Sequence, residues 1–302
     1  MIQLNNITKT YGKEKTLAVD SVSLSVDKGE IFGLIGPDGA GKSSIFRMLT
    51  TLLIPDSGEA TVNGFDIVKE YKQIRNSIGY MPGRFSLYQD LTIEENLQFF
   101  ATVFNTTVEE NYHLIKDIYQ QIEPFKNRRA GKLSGGMKQK LALCCALIHQ
   151  PDVLFLDEPT TGVDVVSRKE FWEMLKKLKQ SGLTIMVSTP YMDEAALCDR
   201  IALMQSGKVL SVNTPQRLVD EFGQTLFSVK GENMHQMLQQ LRKYDGTESC
   251  FAFGESLHLT LRQKYNKEDV LFYLRKSDFT AAQIEEIIPG IEDSFIKLLN
   301  SK

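Results

Sequence analysis

The chain has 302 residues, 42% hydrophobic and 24% charged, with a formal net charge of −3. That length holds about two domains with full cores, and the mildly acidic balance gives no whole-chain attraction to nucleic acid or anionic lipid. No secretory leader is visible, the longest apolar helical run, Leu141 to Ile148, is far too short for a membrane span, and cysteines without a C-x-x-C pair indicate reduced cytoplasmic thiols and no zinc site.

Residues 1–30 alternate as short strands, with Val22-Ser23-Leu24-Ser25-Val26 closed by Lys28-Gly29. Ile31-Phe32-Gly33-Leu34-Ile35 is an apolar run of the kind a buried strand carries. Gly36-Pro37-Asp38-Gly39-Ala40-Gly41-Lys42-Ser43 follows, a complete G-x-x-x-x-G-K-[ST] loop, and Ser44 opens a run with helical spacing. The glycines let backbone N–H groups curl toward one point, and the helix adds its positive dipole end there. Lys42 brings a mobile charge for the β- and γ-phosphates of a nucleoside triphosphate, and the Ser43 hydroxyl is placed to ligate Mg2+. Asp38 is out of character beside phosphate and is expected to cap the helix instead.

Gly79-Tyr80-Met81-Pro82-Gly83-Arg84-Phe85 closes a further strand. Thr92-Ile93-Glu94-Glu95 has capping-box spacing and opens a helical middle reaching about Lys126, and most of its clustered aromatics, among them Phe85, Tyr88, Phe99 and Phe100, are expected in the core. Leu133-Ser134-Gly135-Gly136-Met137 precedes an apolar helix through Ile148. Val153-Leu154-Phe155-Leu156 is a second buried strand, ending in Asp157-Glu158-Pro159. Two carboxylates at the carboxyl end of a parallel strand lie where open α/β sheets bind ligands. Asp157 is expected to hold the Mg2+ shell and Glu158 to polarise the attacking water as general base.

Thr160-Thr161-Gly162-Val163-Asp164 reads as a tight turn, and Arg168 to Gln180 as an amphipathic helix with Phe171, Leu175 and Leu178 inward. Leu183 to Thr189 is another buried strand, followed by Pro190; Gly207 turns between strands 201–204 and 208–212. From about Phe222 a second unit begins. Its order, with strands at 225–230, 249–253, 257–261 and 279–287 and helices at 233–242 and 267–275, gives βαββαβ, a ferredoxin-like pattern closed by a helix at 291–299.

The Leu133–Met137 motif, together with the order and spacing of the 36–43 loop and the acidic pair, resembles the ATP-binding cassette (ABC) ATPases over roughly residues 1–220. The resemblance implies an α/β P-loop NTPase domain with antiparallel β and helical subdomains at 1–221, carrying an α+β accessory domain at 222–302. The tail is similar to extensions on cassette ATPases of multidrug-type exporters. The family pattern implies a head-to-tail dimer in which each Mg-ATP lies between Gly36–Ser44 of one domain and Ser134-Gly135-Gly136 of the other. Tyr11 matches the adenine-stacking aromatic, Asp164 falls where the dimer seam runs, and Arg84 to Leu91 falls where a membrane subunit docks.

Two positions depart from that pattern. Gly83 stands where the family has a glutamine that touches Mg2+, with Gln89 too far along to replace it, and Pro190 stands where a histidine bonds the γ-phosphate. The four histidines, His113, His149, His235 and His258, lie elsewhere in sequence. The expectation is a site that binds ATP but turns over weakly, completing a competent site on a second, intact cassette ATPase, with separate permease chains forming the membrane path. The alternatives are a non-transport cassette protein acting on ribosomes or DNA and a purely regulatory ATP-binding subunit. Against the former stand the single set of motifs and the absence of a basic tract or heptad run.

Overall fold

The computed structural model describes residues 1–300. The chain divides into two compact units, Met1–Pro215 and Gln216–Lys302. In the first, β1 (Ile2–Tyr11) and β2 (Thr16–Val26) pair antiparallel. Along the end of β2, Val22, Leu24 and Val26 are buried while Ser23 and Ser25 are exposed, the period-two pattern of a sheet with one wet face. The central strand β3 (Ile31–Ile35) leads through the phosphate loop into α1 (Lys42–Leu49). Next, β4 (Ser57–Val62) and β5 (Phe65–Asp66) complete an antiparallel sheet of order β2-β1-β4-β5.

After α2 (Tyr71–Ser77) and β6 (Ile78–Met81) come three helices, α3 (Ile93–Val103), α4 (Val108–Tyr119) and α5 (Gly135–Leu147). The capping box at Thr92 forms as its spacing predicts: Glu95 N–H donates to Thr92 Oγ1 at 3.1 Å and Thr92 N–H donates to Glu95 Oε2 at 2.7 Å. The helical middle is interrupted at Asn105, whose φ of +54° breaks the ladder between α3 and α4. Tyr88 and Phe99 are 50% and 39% exposed, in edge contact at 4.8 Å, contrary to a core placement. The inward stripe is already filled by Leu87, Ile93, Leu97 and Ala101.

The remaining elements of this unit are β7 (Val153–Asp157), α6 (Val165–Gln180), β8 (Thr184–Thr189), α7 (Met192–Ala195), β9 (Arg200–Gln205) and β10 (Lys208–Asn213). They build a second sheet of order β10-β9-β3-β8-β7-β6, parallel except for β10. Every residue of β3, β7 and β8 is buried, as for strands covered on both faces. Register fixes the working edge. Ile35 lies opposite Thr189, Asp157 opposite Ser188, and Met81 opposite Leu156, so four strands end together at their carboxyl termini.

The second unit opens with α8 (Pro215–Asp220), then β11 (Leu226–Lys230), α9 (Met234–Lys243), β12 (Thr247–Phe253), β13 (Ser256–Leu261), α10 (Lys267–Lys276), β14 (Gln283–Ile287) and α11 (Ile291–Asn300). The antiparallel sheet has order β12-β13-β11-β14, the arrangement that βαββαβ connectivity produces. Met237, Leu241, Val270 and Leu274 of α9 and α10 pack on Val229, Cys250, Leu257 and Leu259. The last strand starts at Gln283 rather than Phe279, because Phe279 N–H and Ala282 N–H donate within a turn, to Leu274 O and Phe279 O. The element order in the sequence places the start of the second unit at about Phe222. The compact unit already includes α8, whose Leu218 carbonyl accepts from Ser294 Oγ at 2.9 Å.

All four cysteines are buried, and burial pushes their thiols up, Cys250 to about 12 and the other three also above the usual thiol range. A thiol-specific reagent at about pH 8 is therefore expected to leave the native chain unlabelled and to modify every cysteine after denaturation, as mass spectrometry of intact protein would record.

Candidate functional site

The phosphate loop is strapped down on both sides. Gly36 N–H donates to Thr189 O, Ala40 N–H to Pro37 O, and Gly207 N–H to Ala40 O. A Cβ at Gly36 would lie 2.3 Å from Met204 O, so only glycine fits there. Gly41 sits at φ +103° with Ala18 O 2.3 Å from where a Cβ would be, and it is the N-cap of α1 without a side-chain cap. Asp38, exposed at the loop's tip, therefore does not cap the helix: the loop turns into α1 through a left-handed glycine, which leaves no place for an Asx cap.

Lys42 is 3% exposed. Its ammonium donates to Gly36 O at 2.8 Å and Pro37 O at 3.0 Å and lies 3.4 Å from Glu158 Oε1. Ser43 Oγ donates to Asp157 Oδ1 at 3.1 Å, and Ser188 Oγ donates to the same oxygen at 2.5 Å. A buried ammonium held by carbonyls and one carboxylate, next to a hydroxyl–carboxylate pair, suits a phosphate chain carrying a hard divalent cation: Lys42 exchanges neutral acceptors for phosphate oxygens, and Ser43 and Asp157 offer oxygen ligands of the type Mg2+ takes. Burial and the Asp157 charge push the Tyr80 hydroxyl, on neighbouring β6, up to about 12, so it stays protonated beside the acid.

Glu158 has φ +49°, an unusual value for a side chain of its size. The conformation is held by Ser188, whose carbonyl and hydroxyl both accept from Glu158 N–H, at 3.1 and 2.9 Å. Ser188 was not singled out from sequence; a serine inside a buried strand carries no motif, and only the β7–β8 register brings it to Asp157.

Tyr11 ends β1 40% exposed, with its hydroxyl 3.1 Å from Ser44 Oγ, which puts an unpacked ring beside the phosphate loop. Ser134, Gly135 and Gly136 are placed elsewhere. Ser134 caps α5, accepting from Met137 N–H at 3.3 Å, and the glycines lie against the start of α6: a Cβ at Gly135 would be 3.5 Å from Gly162 O and one at Gly136 2.8 Å from Ser167 Oγ. Asp164 caps α6, accepting from Ser167 N–H at 3.0 Å. Gln139, also missed from sequence, donates from α5 to Pro159 O.

Gly83 lies beside the acidic pair, where a Cβ would be 3.1 Å from Asp157 O and 3.8 Å from Glu158 Cβ. Gln89 lies against Gly131, its carbonyl accepting from Gly131 N–H at 2.9 Å. Pro190 directly follows Thr189, the partner of Ile35 in the sheet. Of the histidines, His149 stacks on Phe104 and bonds Ile78 O, and His258 pairs with Asp293 in the second unit. Among the described residues no helix is long and apolar enough to cross a membrane.

The ABC transporter family model matches residues 19–161, from β2 past the acidic pair. Over 304 residues the chain is 39% identical to the probable multidrug ABC transporter ATP-binding protein YbhF of Escherichia coli (strain K12), covering 99% of this chain and 52% of that one, so it spans about half the length of that relative. It is 35% identical to the Nod factor export ATP-binding protein I of Rhizobium sp. (strain N33), covering 98% of this chain and 96% of the relative. Among solved structures it is similar to the dimeric post-hydrolysis state of the ATP-binding cassette MJ0796 bound to ADP and Pi, with TM-score 0.65 and 29% identity over 71% of this chain and 98% of that one. A glycine-rich loop holding a buried lysine, an acidic pair beside it and a glycine pair at the capped start of α5 thus coincide with similarity along nearly the whole chain, and the chain belongs to the ATP-binding proteins of ABC transporters, a family of ATP hydrolases.

Proposed function

We propose that this chain is the ATP-binding subunit of an ABC exporter, working at the inner face of the cell membrane as the weakly hydrolysing half of an ATPase heterodimer that drives separate permease chains. Tyr11 stacks on the adenine, and Gly36, Pro37, Asp38, Gly39, Ala40, Gly41, Lys42, Ser43 and Ser44 surround the phosphates. Ser43 and Asp157 hold Mg2+, which neutralises phosphate charge when bound, and Glu158 orients the attacking water. Ser134, Gly135 and Gly136 close over the nucleotide of the second ATPase, whose own corresponding loop closes over this one.

One observation carries the asymmetric reading. Gly83, with no side chain, lies beside the acidic pair, and Pro190, with no N–H to donate, directly follows β8, the strand paired with β7. A homodimer would repeat both deficits in each site. Affinity purification of the tagged chain from native membranes, with identification and weighing of what accompanies it, tests this: a second cassette ATPase in equal amount plus membrane chains is expected. Self-association with permease alone, or recovery with ribosomes in the soluble fraction, would refute it.

Tyr11→Ala is expected to weaken ATP binding by about 1–3 kcal/mol, the range for stacking of a base on an aromatic ring. Tyr11→Phe keeps most of that, because the ring and not the hydroxyl does the stacking. Titration with a fluorescent ATP analogue separates the two variants.

A further inference from the structure

Glu194, in α7, is a carboxylate only 1% exposed. Both its oxygens are engaged: Thr160 Oγ1 donates to Oε1 at 2.7 Å and Thr189 Oγ1 donates to Oε2 at 2.6 Å. The Arg168 guanidinium supplies the counter-charge, its Nε 3.5 Å from Oε1. Arg168 is itself held over the Tyr191 ring, 4.1 Å from the centroid, with Nη1 3.6 Å from Asp193 Oδ2. Thr160 and Thr189 are fully buried. A buried charge with this set of partners behaves as one unit, since losing any partner strands the rest in a poorly solvated place.

Each end of the unit touches the site. Thr189 ends β8, and its carbonyl accepts from Gly36 N–H of the phosphate loop at 3.3 Å. Thr160 follows Pro159, whose carbonyl accepts from Gln139 of α5. The path Gly36, Thr189, Glu194, Thr160, Pro159, Gln139 therefore runs without a gap from the phosphate loop to the helix that Ser134 caps.

We propose that Glu194 is a positioning residue: through Thr189 and Thr160 it couples occupation of the phosphate loop to the placement of the Ser134–Gly136 loop that is offered to a second domain. The inference rests on the nucleotide reading of residues 36–44 and goes beyond it by naming the internal link. Connectivity alone does not establish coupling, so the link has to be cut and restored.

Hydrogen exchange on the full-length chain with and without Mg-ATP, read by mass spectrometry, does both. In the wild type, Mg-ATP is expected to slow exchange in residues 36–45 and also in 131–140. Thr160→Val removes a single hydrogen bond; protection at 36–45 stays, the response at 131–140 disappears, and amides of 159–164 exchange about tenfold faster, as expected for loss of one charge-assisted hydrogen bond. Thr160→Ser, which keeps the hydroxyl, restores the response. Should Thr160→Val not fold, Glu194→Gln removes the charge that Arg168 answers and is expected to lose the same response. Unaltered ATP-dependent protection at 131–140 in a folded Thr160→Val or Glu194→Gln chain would overturn the proposal. Failure of Thr160→Ser to restore it would do the same, pointing to packing. Wild-type protection at 36–45 without any at 131–140 defeats the coupling alone, whereas no protection at 36–45 defeats the nucleotide reading and the coupling with it.

Discussion

Introducing Gly83→Gln and Pro190→His together is expected to raise ATP turnover at this chain's own site by about 100- to 1000-fold, read in a complex whose second ATPase has been inactivated so that its turnover does not mask the gain. That factor is the typical worth of one preorganised transition-state donor, about 2.7–4 kcal/mol. Two donors in one site act as a unit, so the gain is not expected to be the product of two such factors. Space decides how cleanly the first substitution works. A Cβ at position 83 would sit 3.1 Å from Asp157 O, so the strand end has to give by a few tenths of an ångström before the new amide can approach the acidic pair. Pro190→His returns a donor directly after Thr189. Glu158→Gln in the doubly substituted chain should erase the gain, which ties it to this site rather than to the partner's. A steady-state phosphate-release assay on the purified complex measures all of these. Unchanged turnover in the double variant would mean that Gly83 and Pro190 do not limit the reaction.

The second large effect is on binding. Lys42→Ala is expected to lower ATP affinity by at least about 10- to 100-fold, the equivalent of one hydrogen bond to a charged group at about 1.5–3 kcal/mol. The loss has two parts. The phosphates lose the ammonium, and Glu158 loses the cation that stands 3.4 Å away, so its negative charge faces the incoming nucleotide uncompensated. Lys42→Arg is no substitute, since the ammonium fits between the Gly36 and Pro37 carbonyls at 2.8 and 3.0 Å, where a planar guanidinium has no matching geometry. Thermal melts with and without Mg-ATP report the result directly: the ATP-dependent rise in Tm expected for the wild type should shrink markedly in Lys42→Ala at the same ATP concentration. A full ATP-dependent shift in that variant would refute the assignment.

Much of this site was legible because its parts are local. The 36–43 loop needs its glycines and its lysine within a few residues of one another, and the structure explains Gly36 and Gly41 by the backbone a side chain would strike, Gly39 by its φ of +78°, and Lys42 by its bonds to the loop carbonyls. The β7 and β8 runs were legible for a similar reason, since doubly covered strands carry near-continuous apolar stretches. What sequence did not reveal is the set of polar residues whose partners arrive from far along the chain. Ser188, Gln139 and Glu194 look ordinary where they stand and acquire roles only through sheet register and helix packing. Asn96 is a further case: completely buried on α3, at a position periodicity alone would make apolar, it clamps the 88–92 segment through its amide. Asp38 failed in the opposite direction, because capping preference was applied to a helix that begins with a left-handed glycine.

The left-handed backbone at Glu158 has a consequence for how such a chain evolves. A non-glycine residue held there costs about 1–2 kcal/mol that glycine would not. The fold therefore gives up stability at the residue proposed to orient water, and Glu158→Gly should melt higher while losing its carboxylate. Selection for robustness alone would drift toward that inert variant.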